Sequence, residues 1–226
     1  MKVAFIADVH SNLEALEAVL KAIDKLKIKK IFCLGDVIGY ASEPNKCLEI
    51  IKKRKIPCCI GNHELAVIDQ NVLGFNVYAT EAIEWTISKI TKENLDFIKS
   101  FPEKIKSVLD DINILMVHGS PLDPINDYVF PDYPLERIVD AIDSEVVSMG
   151  HTHVPFIKEV KGCSMINCGS VGQPRDHNPD ACYVVFNIEN KNARVFRVKY
   201  DVKTTVEKII DSGLPPFLAQ RLFLGI

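Results

Sequence analysis

The 226-residue chain contains no C-x-x-C pair, which removes the zinc-ribbon and thioredoxin-like readings. Its seven cysteines, Cys33, Cys47, Cys58, Cys59, Cys163, Cys168 and Cys182, are an odd number, which argues against a complete disulfide framework. Cys33, Cys58 and Cys182 sit in apolar, strand-like runs, as buried reduced thiols do. No apolar run approaches the roughly 20 residues of a membrane span. The apolar start Met1–Ala7 meets Asp8 at once, too early for a signal-peptide core, so a cytoplasmic location is expected. There is no basic excess either. With 27 Lys and Arg against 30 Asp and Glu, the net charge of -3 argues against a nucleic-acid partner held by a broad cationic face. Repeats, low-complexity stretches and long linkers are also missing. What remains, 47% hydrophobic and 25% charged residues, is an ordinary globular mix long enough to bury one core. A single domain over 1–226 is expected.

Periodicity supplies the elements. Val3–Ala7 predicts a buried strand, and Ser11-Asn12-Leu13-Glu14 fits a capping box before a helix with Leu13, Leu16, Leu20, Ile23 and Leu26 on one face. Ile31–Leu34 follows as a strand, so the chain opens with a βαβ unit. A helix over Lys46–Arg54, a short strand over Pro57–Ile60 and a mostly helical stretch over 65–100 come next. Asp110-Asp111 between two apolar runs predicts a hairpin, Leu135–Ile142 a helix, and Glu145–Met149 a strand. Beyond His153 the pattern turns β-rich, then closes with helices in the segment 201–226. Parallel units first and antiparallel strands later predict an α/β fold of two packed sheets with helices outside.

Five of these apolar runs end in a polar cluster: Asp8-Val9-His10, Gly35-Asp36, Gly61-Asn62-His63-Glu64, His118-Gly119 and Gly150-His151-Thr152-His153. Ligands of open α/β sheets bind beyond the carboxyl ends of strands. Five of the six histidines lie in these clusters, and only His177 does not. Histidine, aspartate and asparagine supply nitrogen and oxygen donors suited to first-row metals, and residues i and i+2 at a strand end point the same way.

D-x-H, G-D, G-N-H-[DE], a lone H and G-H-x-H, in that order, resemble the calcineurin-like metallophosphoesterase superfamily over about residues 1–175. Gly35-Asp36-Val37-Ile38-Gly39-Tyr40, His118-Gly119-Ser120-Pro121 and Gly169–Asp176 resemble its small bacterial and archaeal phosphodiesterase branch. The resemblance implies a four-layer α-β-β-α sandwich of two mixed sheets. It implies two divalent ions (Mn, Fe, Zn, Ni or Co), one held by Asp8, His10 and His153, the other by Asn62, His118 and His151, with Asp36 bridging. It implies that His63 contacts the phosphate or protonates the leaving group and is not a ligand. Cys168 departs from the family's usual proline, and a thiol near the metals implies sensitivity to oxidation.

Two cations neutralise a phosphoester and make hydroxide available near neutral pH. The expected activity is therefore hydrolysis of phosphomonoesters or phosphodiesters by direct attack of a metal-bridging hydroxide, with His63 assisting. Nucleotides, dinucleoside polyphosphates and phosphoproteins remain alternative substrates, and a silent metal-binding scaffold is the alternative outside enzymes. Three further residues keep two readings each. Asn12 touches substrate or starts the first helix. Arg175 grips a phosphate or holds the Gly169–Asp176 loop. Glu64 orients His63 or caps a helix. Tyr40, Tyr78 and Trp85 either wall the cleft or belong to the core.

Overall fold

The computed structural model describes all residues, 1–226. Four strands form the first sheet in the order β2-β1-β8-β9: β1 Lys2–Ile6, β2 Lys30–Cys33, β8 Ala181–Asn187 and β9 Asn192–Val198. The second sheet has the order β3-β4-β5-β7-β6, from β3 Lys104–Leu109, β4 Ile112–Val117, β5 Val146–Met149, β6 Phe156–Val160 and β7 Cys163–Asn167. Both are mixed. β1–β2, β4–β5 and β5–β7 run parallel, and the other pairs run antiparallel.

Strand alternation sorts the core. Val3 and Phe5 of β1 and Val184 and Phe186 of β8 face inward, meeting Ile114, Met116, Val146 and Ile166 of the second sheet. Burying each such side chain contributes about 1.5–3 kcal/mol. The other face of β1 and β8, with Ala4, Ile6, Tyr183 and Val185, is covered by helix α1 (Leu13–Lys25) through Leu16, Leu20 and Ile23. Helices α2 (Pro44–Lys53), α3 (Asn62–Asp69), α4 (Val77–Lys89) and α5 (Lys92–Ile98) complete that layer. The outer face of the second sheet is covered more thinly. Leu115, Val117, Val147 and Met149 pack against Val129, Leu135 and Ile138, and the only helix there, α6, spans Glu136–Val139. The helix expected over Leu135–Ile142 is thus a single turn within a packed loop.

Two other expectations change. Pro57–Ile60 is extended but contributes one parallel bridge, Cys33 with Cys58. Pro57 has no N–H to extend the ladder, and the chain enters α3 two residues after Ile60. The N-cap of α1 is Asn12, not Ser11: the Asn12 side chain accepts from the main-chain N–H of Ala15 at 3.1 Å. Asp110 and Asp111 both adopt positive φ, as a two-residue hairpin turn requires. The chain closes with α7 (Val202–Asp211), α8 (Pro216–Gln220) and a 3-10 turn over Arg221–Phe223. No helix is long and apolar enough to cross a membrane.

Candidate active site

The carboxyl ends of β1, β2, β4 and β5 and the start of α3 converge on one cavity of about 290 Å³. Asp36, Asn62, His63, His151, His153 and Arg175 line it, together with Tyr40, Phe75, Asn126 and Tyr128. Asp8, His10 and His118 lie directly behind, each at most 1% exposed. The backbone is bent to put them there. Asp8, His10, Asp36, His151 and His153 all have positive φ, between 49° and 68°. Such a conformation costs a non-glycine residue about 1–2 kcal/mol. Five in one site mark a place where surrounding contacts override local preference.

Three donor groups form. Asp8, His10 and His153 make one; Asp36, His118 and His151 make another; Asp36 also stands within reach of His10 and His63. In the first group the Nδ1 of His10 donates to the Ile38 carbonyl at 3.0 Å, and the Nδ1 of His153 donates to the Gln173 carbonyl. Both Nε2 atoms are therefore left with lone pairs, and they face each other at 3.1 Å. The Oδ1 of Asp8, buried and without a hydrogen-bond partner, lies 3.8 Å from one Nε2 and 3.4 Å from the other. Burial holds the His10 and His153 rings well below the usual imidazole range, so both are neutral. Burial likewise pushes Asp8 up to about 8 in the metal-free chain. Two imidazole lone pairs and an orphaned carboxylate oxygen repel one another unless a cation stands between them, so this donor set fits a metal ion.

In the second group the Nε2 of His118 is 2.9 Å from the Nδ1 of His151, 3.1 Å from the Oδ1 of Asn62 and 3.4 Å from the Oδ2 of Asp36. His118 Nδ1 donates to the Leu34 carbonyl at 2.8 Å. Burial opposes a charge on His118, but Asp36 outweighs it and raises the ring to about 10. Burial pushes Asp36 upward too, and the His118 charge overcomes it, leaving Asp36 well below the usual carboxylate range. A proton thus sits among acceptors where a cation would fit equally. The Oδ2 of Asp36 is 3.7 Å from His10 Nε2 and 3.4 Å from His118 Nε2, so one carboxylate spans both groups.

His63 stands apart. Its main-chain N–H donates to Asp36 Oδ1 at 2.9 Å, its Nε2 is 4.0 Å from Asp36 Oδ2, and its buried Nδ1 has no partner. Burial lowers the ring to about 4. Tyr40, tilted against it, and Phe75, edge-on to it, flank the ring with centroids 4.6 and 5.2 Å away. Glu64 does not orient His63. Its fully buried carboxylate accepts from the main-chain N–H groups of Asp36 (2.8 Å), Val37 (2.7 Å), Ile38 (3.1 Å) and Gly61 (2.9 Å), tying the Asp36 turn to the start of α3.

Asn12 is a correction. It lines no part of the cavity, because its amide caps α1 and donates to the Gly172 carbonyl and to Tyr200. Arg175 does line the cavity, and so does Tyr40. Tyr78 and Trp85 face the C-terminal helices instead, through stacking on Phe217 at 4.5 Å and a hydrogen bond to the Ser212 carbonyl. Tyr128, with its ring centroid 3.9 Å from that of His151, was not legible in the sequence, nor were Asn76 and Asn126 on the rim. They sit on irregular segments where no periodicity marks a side chain's direction.

Fold and donor set together place groups able to hold metal ions at the carboxyl ends of the strands of a two-sheet sandwich. Residues 1–191 match the family model of the calcineurin-like phosphoesterase superfamily domain, and the chain belongs to that superfamily. It is similar to a metallophosphoesterase of Sphaerobacter thermophilus whose crystal structure aligns over the full length of both chains, with a TM-score of 0.87 and 33% identity. It is 40% identical to an uncharacterized protein of Methanocaldococcus jannaschii, over 99% of this chain and 98% of that one. It is 25% identical to phosphodiesterase YfcE of Escherichia coli, over 79% of this chain and 84% of YfcE.

Proposed function

We propose that the protein hydrolyses phosphomonoesters or phosphodiesters with two divalent ions. Asp8, His10 and His153 would hold one ion, Asn62, His118 and His151 the other, and Asp36 would bridge them. The observation that carries this reading is the 3.1 Å approach of two neutral imidazole nitrogens beside the partnerless oxygen of Asp8. When bound, a pair of divalent ions acts as a Lewis acid toward a phosphoryl group and lowers the pKa of water.

The chain's own residues do the rest. Asp8 and Asp36 stay ionised against the cations, and the main-chain carbonyls of Leu34, Ile38 and Gln173 fix the tautomers of His118, His10 and His153. Arg175 offers a guanidinium on the cavity wall for a phosphoryl oxygen. His63 faces the same cavity as a neutral ring, able to donate a hydrogen bond to the oxygen of the departing group. An incoming phosphate opposes the lowering of His63 and lets it carry a full proton. Tyr40 and Phe75 keep the ring from turning away.

The test pairs metal analysis with turnover on one preparation, using p-nitrophenyl phosphate, bis-p-nitrophenyl phosphate, nucleotides and phosphopeptides. Two ions per chain and turnover that a chelator abolishes are expected. His63→Ala is expected to retain both ions and lose most turnover on poor leaving groups; loss of metal from this variant overturns its assignment. Two bound ions with no turnover on any ester would favour a binding scaffold.

A further inference from the structure

Helix α3 starts at the active-site cavity with Asn62 and runs away from it. Asn62, Leu65, Ala66 and Asp69 are spaced i, i+3, i+4 and i+7, so they share one helical face about 10 Å long. That face lines a second cavity of about 200 Å³. Asn62, Leu73, Phe75 and Asn126 line both cavities, which therefore share a wall. Phe75 is also the ring edge-on to His63 at 5.2 Å, so the second cavity begins on the side where the departing oxygen is expected.

The two cavities differ in chemistry. The first holds the histidine and aspartate donors and Arg175. No Lys or Arg lines the second, and its one charged group is the exposed carboxylate of Asp69. The rest of its surface is apolar, from Leu65, Ala66, Leu73 and Phe75, or amide, from Asn62, Asn71 and Asn126. A further phosphoryl group would find no cation there and would meet a like charge. Leu73 is 89% exposed, more than any other large hydrophobic side chain of the chain. Its place is fixed all the same: the Asn71 side chain accepts from the Leu73 main-chain N–H at 3.0 Å, and Gly74 follows with a φ of +90°. An apolar side chain held in water between two cavities gains from a ring laid against it. The second cavity has room for one, since a space of about 150 Å³ holds benzene.

Resting on the phosphoesterase reading above, we propose that this groove is the subsite for the organic group of the substrate, and that the group is uncharged and of aromatic size, with a hydrogen-bond donor at its far end. The scissile phosphoryl group lies among the Asp and His donors. The organic group passes Phe75, lies on Leu65 and Ala66 beneath Leu73, and donates to Asp69. Leu73 and Asp69 touch no reacting atom and contribute recognition.

Three non-hydrolysable phosphonates test this by calorimetry on the metal-loaded protein: methylphosphonate, 4-carbamoylbenzylphosphonate and 4-carboxybenzylphosphonate. The last two are nearly isosteric and differ in charge. The carbamoyl compound is expected to bind at least about tenfold more tightly than methylphosphonate, the yield of burying part of a ring. The carboxy compound is expected to bind at least about threefold more weakly than the carbamoyl one, the size of an exposed charge effect. Asp69→Asn is expected to bring these two affinities together. Leu73→Ala is expected to lower the carbamoylbenzyl-to-methyl ratio at least about threefold with methylphosphonate affinity unchanged. Both positions are exposed, and melting curves establish that each variant is folded. Equal affinity of the wild type for all three phosphonates, tighter binding of the carboxy compound, or ratios unmoved by both substitutions overturns the groove. Turnover of p-nitrophenyl phosphate or its bis ester by the same preparation shows that the phosphoesterase reading survives that result. Discrimination among the phosphonates without turnover of either ester overturns the phosphoesterase reading and the substrate assignment with it.

Discussion

Gly39 lies flat against the imidazole of His63: its φ is +91°, and a Cβ built on it would overlap Nδ1 of that ring. The glycine is needed twice over, once for a backbone region closed to L side chains and once for space. Tyr40 and Phe75 block the ring's retreat. Gly39→Ala is therefore expected to displace His63 rather than be absorbed. A displacement of about 1 Å at a catalytic group costs on the order of 10²-fold in rate, and overpacking costs about 1–3 kcal/mol of stability. Kinetics and denaturant melts on the metal-loaded variant check both. Unchanged kcat on poor leaving groups would show that His63 does not act on the departing oxygen.

Acid should weaken the metal-free protein earlier than its carboxylates alone would dictate. Burial lowers His63 from 6.5 to about 4 and His151 to about 3, and it holds His10 and His153 well below 6.5. Each is a base whose folded pKa is depressed, so the unfolded chain binds the proton first. Stability is then complete above pH 6.5 and falls as pH drops from 6.5 toward about 4. The slope is about 1.4 kcal/mol per pH unit for each proton taken up. His118, raised to about 10, works oppositely: its contribution is complete below pH 6.5 and is lost as pH rises toward 10. Urea melts of chelator-treated protein between pH 4 and 9 are expected to trace a maximum near neutrality. Stability that keeps rising as pH falls below 6 would contradict the buried neutral rings.

Much of this was legible because the candidate ligand side chains follow apolar strands at a spacing that chemistry restricts. Asp8 and His10 converge on one donor group as an i and i+2 pair should, whereas His151 and His153, both in left-handed backbone, part to two different groups. The hairpin at Asp110-Asp111 followed from two turn-forming residues between alternating runs. What failed was contextual. The sequence could not reveal that Asn12 is consumed by capping α1, since a cap and a substrate contact need the same amide. Nor could it show that Glu64 reaches 26–28 residues back to the Asp36 turn, or that the closing 3-10 turn brings Arg221 against the Tyr40 ring. Long-range placement depends on tertiary packing that no local pattern records.

The thiols are expected to be inert. All seven cysteines are buried. Burial raises Cys47, Cys58 and Cys168 well above the ordinary thiol range and raises Cys163 to about 11 and Cys182 to about 12. Cys168 lies between the two sheets with the apolar core, so the oxidation sensitivity implied by its place near Asp8 is opposed by its lack of access. Native, metal-loaded protein is expected to leave all seven thiols unreacted toward Ellman's reagent and to keep its activity. Rapid labelling of Cys168 with loss of turnover would reverse this reading.

Glu64 provides the sharpest test of how the site is held open. Four main-chain N–H groups converge on its two oxygens, three from the Asp36–Ile38 turn and one from Gly61. Asp36 at the head of that turn is in a left-handed conformation, which nothing local favours. Burial and then Asp36 raise Glu64 to about 7, while the hydrogen bonds from Ile38 and Gly61 pull the other way and favour its ionised form. Glu64→Gln keeps the shape and replaces one acceptor oxygen by a donor, and since each oxygen accepts from two N–H groups, two buried N–H groups lose their partner. Each costs about 1–3 kcal/mol. The expected variant is less stable by up to about twice that amount and binds the second ion more weakly, because Asp36 and Asn62 lose their common anchor. Glu64→Asp, one methylene shorter, is expected not to rescue it, since the carboxylate must span both turns. Metal titration of the two variants against the wild type decides the matter: undiminished affinity for both ions would reduce Glu64 to a helix cap at the start of α3.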